Sequence, residues 1–258
     1  KSVWQRHPHL LHHVSQMRIQ MLYELQTVMV PIVNITGRSR SLAEDVPDVL
    51  RGLADLPSIG CTGIIAEDSS DNNTVNHARN LDFSLPGSPG SEAVFKELVY
   101  IAIFKKGGKE IFRSQMIAGY TQMITAMRKG PDGFTIERNT RYGGKGSNAL
   151  MLKNLETGKP LNGWILRKVL EEQATFDGAV TAISASHFAS TEYTIMSGVK
   201  KGTILSMEPA GVAFRQTLGQ TNFEEPPSYI IMTNFDFFWH DIREWFDPHW
   251  RQDRPAAP

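Results

Sequence analysis

The sequence contains very little cysteine and no excess of charge of either sign. Cys61 is the only cysteine among 258 residues, which excludes a disulfide within the chain and argues against a cysteine-based zinc site. Lysine plus arginine and aspartate plus glutamate both total 27. The chain therefore carries no overall field that would attract phosphates or an anionic membrane, and binding of nucleic acid is not expected.

Long apolar runs, nucleotide-binding glycine patterns and internal repeats are also missing. No stretch approaches the ~20 apolar residues of a membrane-spanning helix, and no GxGxxG or phosphate-loop spacing occurs. The one histidine cluster, His7, His9, His12 and His13, lies near the start of the chain and is expected to be a solvated terminus. We therefore expect neither a cofactor nor a bound metal.

The first 60 residues differ in pattern from the remainder. Apolar residues from Met17 to Val30 recur at helical spacing until Pro31, which predicts an amphipathic helix, and residues 41–56 predict a shorter one. The first helix is expected to pack on the core. The alternative is contact with a membrane surface or a lipid-presenting partner, which its methionines would also suit.

From Cys61 onwards, short apolar runs between polar turns predict strands. Residues 62–66 and 75–83 predict one hairpin, and residues 98–104 and 111–117 predict a second. Residues 162–184 have helical periodicity, with Asn162 as a cap. Further strands are predicted at residues 134–136, 193–197, 203–207, 212–216 and 229–233. Strands before and after a helical stretch favour an α+β fold, an αββα sandwich of two antiparallel sheets flanked by helices.

Four short motifs follow one another between residues 61 and 254. They are Cys61-Thr62, Arg79-Asn80-Leu81-Asp82, Thr233-Asn234-Phe235-Asp236 and Asp253-Arg254. In this order they resemble the CT, RNxD, TNYD and DDRR elements of the acid ceramidase and N-acylethanolamine-hydrolysing acid amidase family. These are N-terminal-nucleophile cysteine hydrolases similar to choloylglycine hydrolases. The resemblance implies one αββα unit made of a helical pro-segment or α-subunit, residues 1–60, and a catalytic β-subunit, residues 61–258.

The resemblance also implies that the chain cuts itself between Gly60 and Cys61 and then uses Cys61 as its nucleophile. An α-amino group titrates near ~7.7–8.0, so the new terminus would carry nucleophile and general base in one residue. Gly60 suits the scissile position because it has no side chain to block the approach. The two pieces would remain together as an α/β heterodimer. On composition alone, Cys61 would be interpreted as a small buried hydrophobic residue.

Four further residues are implied in the site. Arg79 would lower the pKa of the thiol, Asp82 would hold the amine or balance the arginine, Asn234 would donate to an oxyanion, and Arg254 would assist at the carbonyl or leaving group. Without the resemblance, Arg79 would be interpreted as an edge charge and Asn234 as a turn residue. Alternate strand residues face opposite ways, so the resemblance implies that the strand bulges or ends before Asp82.

Two departures from the family pattern affect this interpretation. The acidic residue of the family's NER element falls on Thr140, whereas Glu137 lies nearby but out of register. Either Glu137 replaces that carboxylate or the function has shifted. The interval before Arg254 is longer than in the family, which leaves Arg243 and Arg251 as alternatives.

The function implied is hydrolysis of a fatty-acyl amide, ceramide or an N-acylethanolamine, through a thioester on Cys61. The segments 66–68 and 82–83 favour ceramide, whereas Leu81 favours the other substrate. Sequons at Asn34 and Asn72 predict glycosylation and a lysosomal or secreted protein. The alternatives are a catalytically silent lipid- or protein-binding relative, for which Thr140 is the reason, and a bile-salt or penicillin-type acylase.

Overall fold

The computed structural model describes residues 60–72, 74–82, 96–118, 120–141, 148–220, 228–234 and 236. The strands in these residues are β1 (Gly60–Asp68), β2 (Thr74–Asp82), β3 (Val99–Lys106), β4 (Lys109–Ile117), β5 (Thr125–Arg128), β6 (Phe134–Thr140), β7 (Glu192–Gly198), β8 (Lys201–Glu208), β9 (Gly211–Thr217) and β10 (Tyr229–Met232). The connection from β6 to β7 contains the helices α1 (Asn148–Glu156), α2 (Asn162–Glu172) and α3 (Phe176–Ser184). No helix in these ranges is long and apolar enough to cross a membrane.

β1 is the central strand of a three-stranded antiparallel sheet with the order β10-β1-β2. Its pairing with β2 confirms the first predicted hairpin. On the other side, Gly63 pairs with Met232 of β10, which brings the residues that follow β10 beside the start of β1. The register between β1 and β2 continues without interruption to the pair Gly60 and Asp82. The expectation that β2 bulges or ends before Asp82 is therefore wrong.

The other strands form a seven-stranded antiparallel sheet in which β3 to β9 follow one another in chain order. The pairing of β3 with β4 confirms the second predicted hairpin. Its turn passes through Gly107 and Gly108, whose φ angles are +57° and +78°, a conformation that favours glycine. β6 and β7 are direct neighbours although three helices separate them in sequence.

The seven-stranded sheet has a different layer on each face. One face packs on α2 and α3, where Phe134 and Ile136 share an apolar cluster with Leu166. The other face packs on the three-stranded sheet, where Tyr193 and Ile195 share a cluster with Ile65. The period of two along each strand separates these two sets of side chains. The predicted α+β class, with two stacked antiparallel sheets and helices packed outside, is confirmed.

The helical stretch predicted for residues 162–184 is interrupted. α2 ends before Gln173, and Thr175 caps α3 by accepting a hydrogen bond from the backbone N–H of Gly178 at 3.1 Å. Asn162 is not the cap of α2, because that position is Leu161 and no side chain caps it. The Asn162 side chain is buried and donates to the carbonyl of Ser190 at 3.4 Å. The short elements β5 and α1 were not predicted from the sequence.

Several predictions fall outside the described residues. These are the two helices before Gly60, the glycosylation of Asn34, and the arginines Arg243, Arg251 and Arg254. The division of the chain at residue 60 remains a prediction as well.

Candidate active site

Cys61 is the second residue of β1, and only 4% of its surface is exposed. Buried and partly exposed residues alternate from Cys61 to Ile65, so Cys61, Gly63 and Ile65 face the seven-stranded sheet. The two sheets approach closely at Gly63, where a Cβ atom would clash with Glu137 Oε1 and lie 2.5 Å from Ile195 Cδ1. The sulfur is therefore held between the two sheets.

Arg79 lies beside the thiol because it pairs with Gly63 across β1 and β2. Its Nη2 donates to Cys61 Sγ at 3.6 Å and to the carbonyl of Arg138 at 2.9 Å. Its Nη1 donates to the carbonyl of Ile124 at 3.1 Å and to Thr125 Oγ1. A guanidinium is always charged and presents its donors in a fixed plane. The structure thus holds a permanent cation against the sulfur.

Opposing effects act on the ionisation of Cys61. Burial raises the pKa of the Cys61 thiol, whereas the charge and hydrogen bond of Arg79 lower it, and the negative charge of Glu137 raises it. Burial is the largest of these effects, so the pKa of the thiol lies above its usual value. Removal of water from a thiolate is costly, and Arg79 reduces this cost without abolishing it.

Asn234 follows β10 and lies on the other side of Cys61. The backbone N–H of Cys61 donates to Asn234 Oδ1 at 2.7 Å, and Asn234 Nδ2 donates to the carbonyl of Thr140 at 2.7 Å. Asn234 is 3% exposed. Its amide therefore connects the nitrogen of Cys61 to the end of β6. Its role as an oxyanion donor remains a prediction.

Glu137 is fully buried between the sheets and reaches the same region. Its Oε1 lies 3.7 Å from Arg79 Nε, and its Oε2 lies 3.0 Å from His77 Nε2. The other ring nitrogen of His77 is 2.6 Å from Thr135 Oγ1 and 3.4 Å from Ser197 Oγ. Although it is out of register in sequence, Glu137 is thus the carboxylate that contacts Arg79. Position 140 contributes its backbone carbonyl, which accepts from Asn234.

The side chains of two predicted site residues, Asp82 and Arg254, are not among those that the structure describes. The backbone of Asp82 pairs with Gly60, the residue before the predicted nucleophile, and the role of its side chain remains a prediction. Arg254 lies outside the described residues.

Two buried ion pairs near the site were not predicted from the sequence. Arg138 Nε lies 2.6 Å from Glu192 Oε2. Arg141 donates from Nε and Nη2 to the two oxygens of Asp236 at 2.7 and 2.8 Å, and the hydroxyl of Tyr193 donates to Asp236 as well. The only available signal was the position of Arg141 and Asp236 within the NER-like and TNYD-like elements. No local pattern pointed to Arg138 and Glu192.

A cavity of about 440 Å³ is lined in part by Arg79. Its walls combine the polar residues His77, Arg79 and Glu137 with the apolar residues Ile101 and Met127, among others. The last two are 62% and 52% exposed, so apolar surface extends outward from the cavity. The volume lies within the range of pockets that bind small molecules.

Asn72 lies in the exposed turn between β1 and β2. It has a φ of +51°, and its Oδ1 accepts a hydrogen bond of 3.2 Å from Lys200 Nζ. Surface exposure is compatible with the predicted glycan, which remains a prediction.

The fold is that of an N-terminal-nucleophile hydrolase, and comparison with solved structures agrees. The structure of the Caenorhabditis elegans N-acylethanolamine-hydrolyzing acid amidase ortholog superimposes with a TM-score of 0.57 and 28% sequence identity. The superposition covers 72% of this chain and 74% of that chain.

Sequence comparison gives related proteins of the same two names. The N-acylethanolamine-hydrolyzing acid amidase of Caenorhabditis elegans is 28% identical over 180 residues, which cover 69% of this chain and 47% of that protein. The acid ceramidase of Balaenoptera acutorostrata scammoni is 26% identical over 189 residues, which cover 68% of this chain and 46% of that protein. No protein-family model matches the sequence.

The resemblance that the four motifs indicate, to acid ceramidase and N-acylethanolamine-hydrolyzing acid amidase, is thereby confirmed. The chain spans about half the length of the curated relatives that it matches.

Proposed function

We propose that the chain is a cysteine amidase that cuts itself between Gly60 and Cys61 and then hydrolyses fatty-acid amides. The observation that carries this proposal is the environment of Cys61. Arg79 Nη2 lies 3.6 Å from the sulfur, and Asn234 accepts a hydrogen bond from the nitrogen of the same residue. The cation favours the thiolate, and the amide fixes the nitrogen that becomes the terminal amine.

Self-cleavage begins when the Cys61 thiol gives up its proton and its sulfur attacks the carbonyl carbon of Gly60. The bond between that carbon and the nitrogen of Cys61 breaks, and the nitrogen takes up a proton to become an amine. Water then hydrolyses the thioester, which releases a carboxylate on Gly60 and a free thiol on Cys61. Because Asn234 Oδ1 already accepts from this nitrogen, it can hold the amine after the cut.

Amide hydrolysis then repeats the chemistry on a substrate. The thiolate attacks the acyl carbonyl, and Asn234 together with a backbone N–H stabilises the oxyanion. The terminal ammonium gives its proton to the departing amine. Water hydrolyses the acyl thioester and releases the fatty acid.

The proposed substrates are ceramide and N-acylethanolamines, which are amides of long acyl chains with small polar amines. Two observations support this class. The cavity next to Arg79 includes apolar as well as polar wall residues, among them the exposed side chains of Ile101 and Met127, and the related proteins carry the names of amidases for these lipids. In keeping with this class, we place the protein in the lysosome or outside the cell.

The test is a denaturing gel of the purified chain at acidic pH, followed by mass spectrometry of the pieces and incubation with a panel of acyl amides. The expected products are one piece that ends at Gly60 and one that starts at Cys61, with release of fatty acid. Cys61→Ala should remain whole and inactive. A wild-type chain that stays intact and releases no fatty acid would contradict the proposal.

The second proposal is a binding relative that never cuts itself. The specific observations in its favour are Thr140 in place of the family's carboxylate and the burial that raises the pKa of the Cys61 thiol. In that case the wild-type chain would stay intact on the gel and bind the same amides without hydrolysing them.

A further inference from the structure

The buried ion pair of Arg138 and Glu192 lies behind the site, on the opposite face of β6. Glu137 points towards β1, so its neighbour Arg138 points towards the helices. Arg138 Nη1 donates to Tyr120 Oη at 3.2 Å and to Gln122 Oε1 at 3.1 Å. The backbone N–H of Gly163, in the first turn of α2, donates to the same Gln122 oxygen at 2.9 Å. Arg138 is 6% exposed and Glu192 is 1% exposed.

This end of β6 also holds the site on its other side. The carbonyl of Arg138 accepts the hydrogen bond from Arg79 Nη2 at 2.9 Å. Two residues further on, the carbonyl of Thr140 accepts the hydrogen bond from Asn234 Nδ2. The backbone of β6 from Arg138 to Thr140 therefore lies between the buried ion pair and the two residues that contact Cys61.

In the pairing of β6 with β7, Glu192 lies directly opposite Thr140. Opposite residues of an antiparallel pair project from the same face with Cβ atoms about 4.5–5.5 Å apart. Arg138, two residues from Thr140, projects from that face too. A carboxylate at position 192 is therefore within reach of the place where a carboxylate at position 140 would lie.

We propose that Glu192 is a positioning residue of the Cys61 site, which acts through its ion pair with Arg138, and that it supplies from β7 the carboxylate that position 140 lacks. This proposal deepens the proposed function and rests on it. Glu192 does not touch the sulfur. It determines how much of the positive charge of Arg138 is felt by the Cys61 and Arg79 pair across β6.

The charges of the two faces are coupled. The charge of Cys61 acts to raise the pKa of Arg138, and the charge of Arg79 acts to lower the pKa of Glu192. Burial raises the pKa of Glu192 to about 7. The positive charge of Arg138 and a hydrogen bond from the side chain of Asn162, on α2, oppose this rise. Above this pH Glu192 is ionised and neutralises Arg138. Below it Glu192 is neutral, and the positive charge of Arg138 favours the Cys61 thiolate.

The first test measures the pKa of the thiol through the ultraviolet absorbance of the thiolate, with Cys61→Ala as the blank. Cys61 is the only cysteine, so the signal belongs to this residue. Glu192→Gln should lower the pKa of the thiol by about one pH unit, which is the typical spread of side-chain pKa values between protein environments. Arg138→Met should raise this pKa by a similar amount. The control is Glu171→Gln, an exposed carboxylate paired with Arg167, which should leave it unchanged.

A purely structural ion pair would give a different result. Both variants would then lower Tm, while the pKa of the thiol stayed at the wild-type value. That outcome, or shifts of the same sign in the two variants, would overturn the proposal. The test needs only a folded chain, so it can succeed even if the wild-type protein releases no fatty acid and the proposed function fails.

The second test returns the carboxylate to the other strand. Glu192→Thr should lower the pKa of the thiol as Glu192→Gln does, and adding Thr140→Glu to it should bring the value back towards wild type. In the active enzyme, the pH profile of self-cleavage should lose its inflection near pH 7 in Glu192→Gln and regain one in the double variant. If the double variant behaved as Glu192→Thr alone, a carboxylate at position 140 could not replace the one at position 192, and this part of the proposal would be wrong.

Discussion

The backbone N–H of Cys61 donates a hydrogen bond of 2.7 Å to the side-chain oxygen of Asn234, which is 173 residues away in sequence. The orientation of this amide is fixed from both sides. The N–H of Cys61 needs an acceptor and the carbonyl of Thr140 needs a donor, so Oδ1 must face the first and Nδ2 the second. One asparagine thereby connects the start of β1 to the end of β6.

We predict that Asn234→Ala abolishes self-cleavage. The substitution leaves the buried N–H of Cys61 without its side-chain acceptor, at a cost of about 1–3 kcal/mol, and frees the nitrogen that the cut releases. The measurement is the fraction of chain cut at Gly60 over time on a denaturing gel, together with the free energy of unfolding.

The matched control is Asn139→Ala. Asn139 is also fully buried and donates to a backbone carbonyl, that of Met232 at 3.2 Å, but it does not contact Cys61. It should lose comparable stability and still cut itself. Equal rates of cleavage in the two variants would show that Asn234 has no specific role in self-cleavage.

For Arg79 we predict a graded effect on the thiol. Arg79→Met should raise the pKa of Cys61, because it removes the group that opposes burial. Arg79→Lys keeps the charge but cannot reach the sulfur and three further acceptors with one nitrogen, so the pKa should lie between those of Arg79→Met and wild type. The measurement is the absorbance of the thiolate as a function of pH.

The control for this series is Arg215→Met, since Arg215 is exposed and donates to Ser184 Oγ at 2.7 Å. It should leave the thiol unchanged. If Arg79→Met left the pKa of Cys61 at its wild-type value, the hydrogen bond between Arg79 and the sulfur would have no electrostatic consequence.

Glu137→Gln is expected to act in the opposite direction. The carboxylate of Glu137 raises the pKa of the Cys61 thiol, and glutamine removes the charge while its amide can still contact His77. The pKa of the thiol should therefore fall, and the thiolate should be present at lower pH than in wild type. A rise in this pKa would show that Glu137 acts mainly by holding Arg79 in place.

The large features of the fold could be predicted because each has a local cause. The hairpin of β3 and β4 follows from two apolar runs around a glycine turn, and its register is set by nearby residues. The break at Thr175 was missed because the helical spacing of apolar residues continues through it, and a cap is a weaker signal than about six turns of periodicity. β5 is only four residues long, so its pattern could not be distinguished from a loop.

The site was predictable only where motifs are contiguous. Cys61, Arg79 and Asn234 belong to such motifs, and the structure brings them together. The partnership of Arg138 with Glu192 depends on the pairing of β6 with β7, which three helices separate in sequence. The contact of Glu137 with Arg79 depends on how two sheets stack. Neither arrangement leaves a pattern in a single sequence, because both follow from tertiary packing.

The ion pair of Arg141 and Asp236 is predicted to stabilise the fold rather than to serve the chemistry. Asp236→Ala should lower the free energy of unfolding by roughly 3–5 kcal/mol, since it removes the carboxylate that accepts two hydrogen bonds from a buried cation. Asp177→Ala removes the carboxylate of an exposed pair with Lys201 and should change the stability very little. Thermal and denaturant unfolding measure both.

A double replacement separates loss of the pair from loss of one partner. Arg141→Met combined with Asp236→Leu removes both charges of this pair, so it should recover much of the stability lost in Asp236→Ala. Because neither side chain touches the sulfur, the pKa of Cys61 should remain at its wild-type value in the double variant. If that pKa moved while stability recovered, the Asp of the TNYD-like element would act on the site, and its assignment as a structural residue would be wrong.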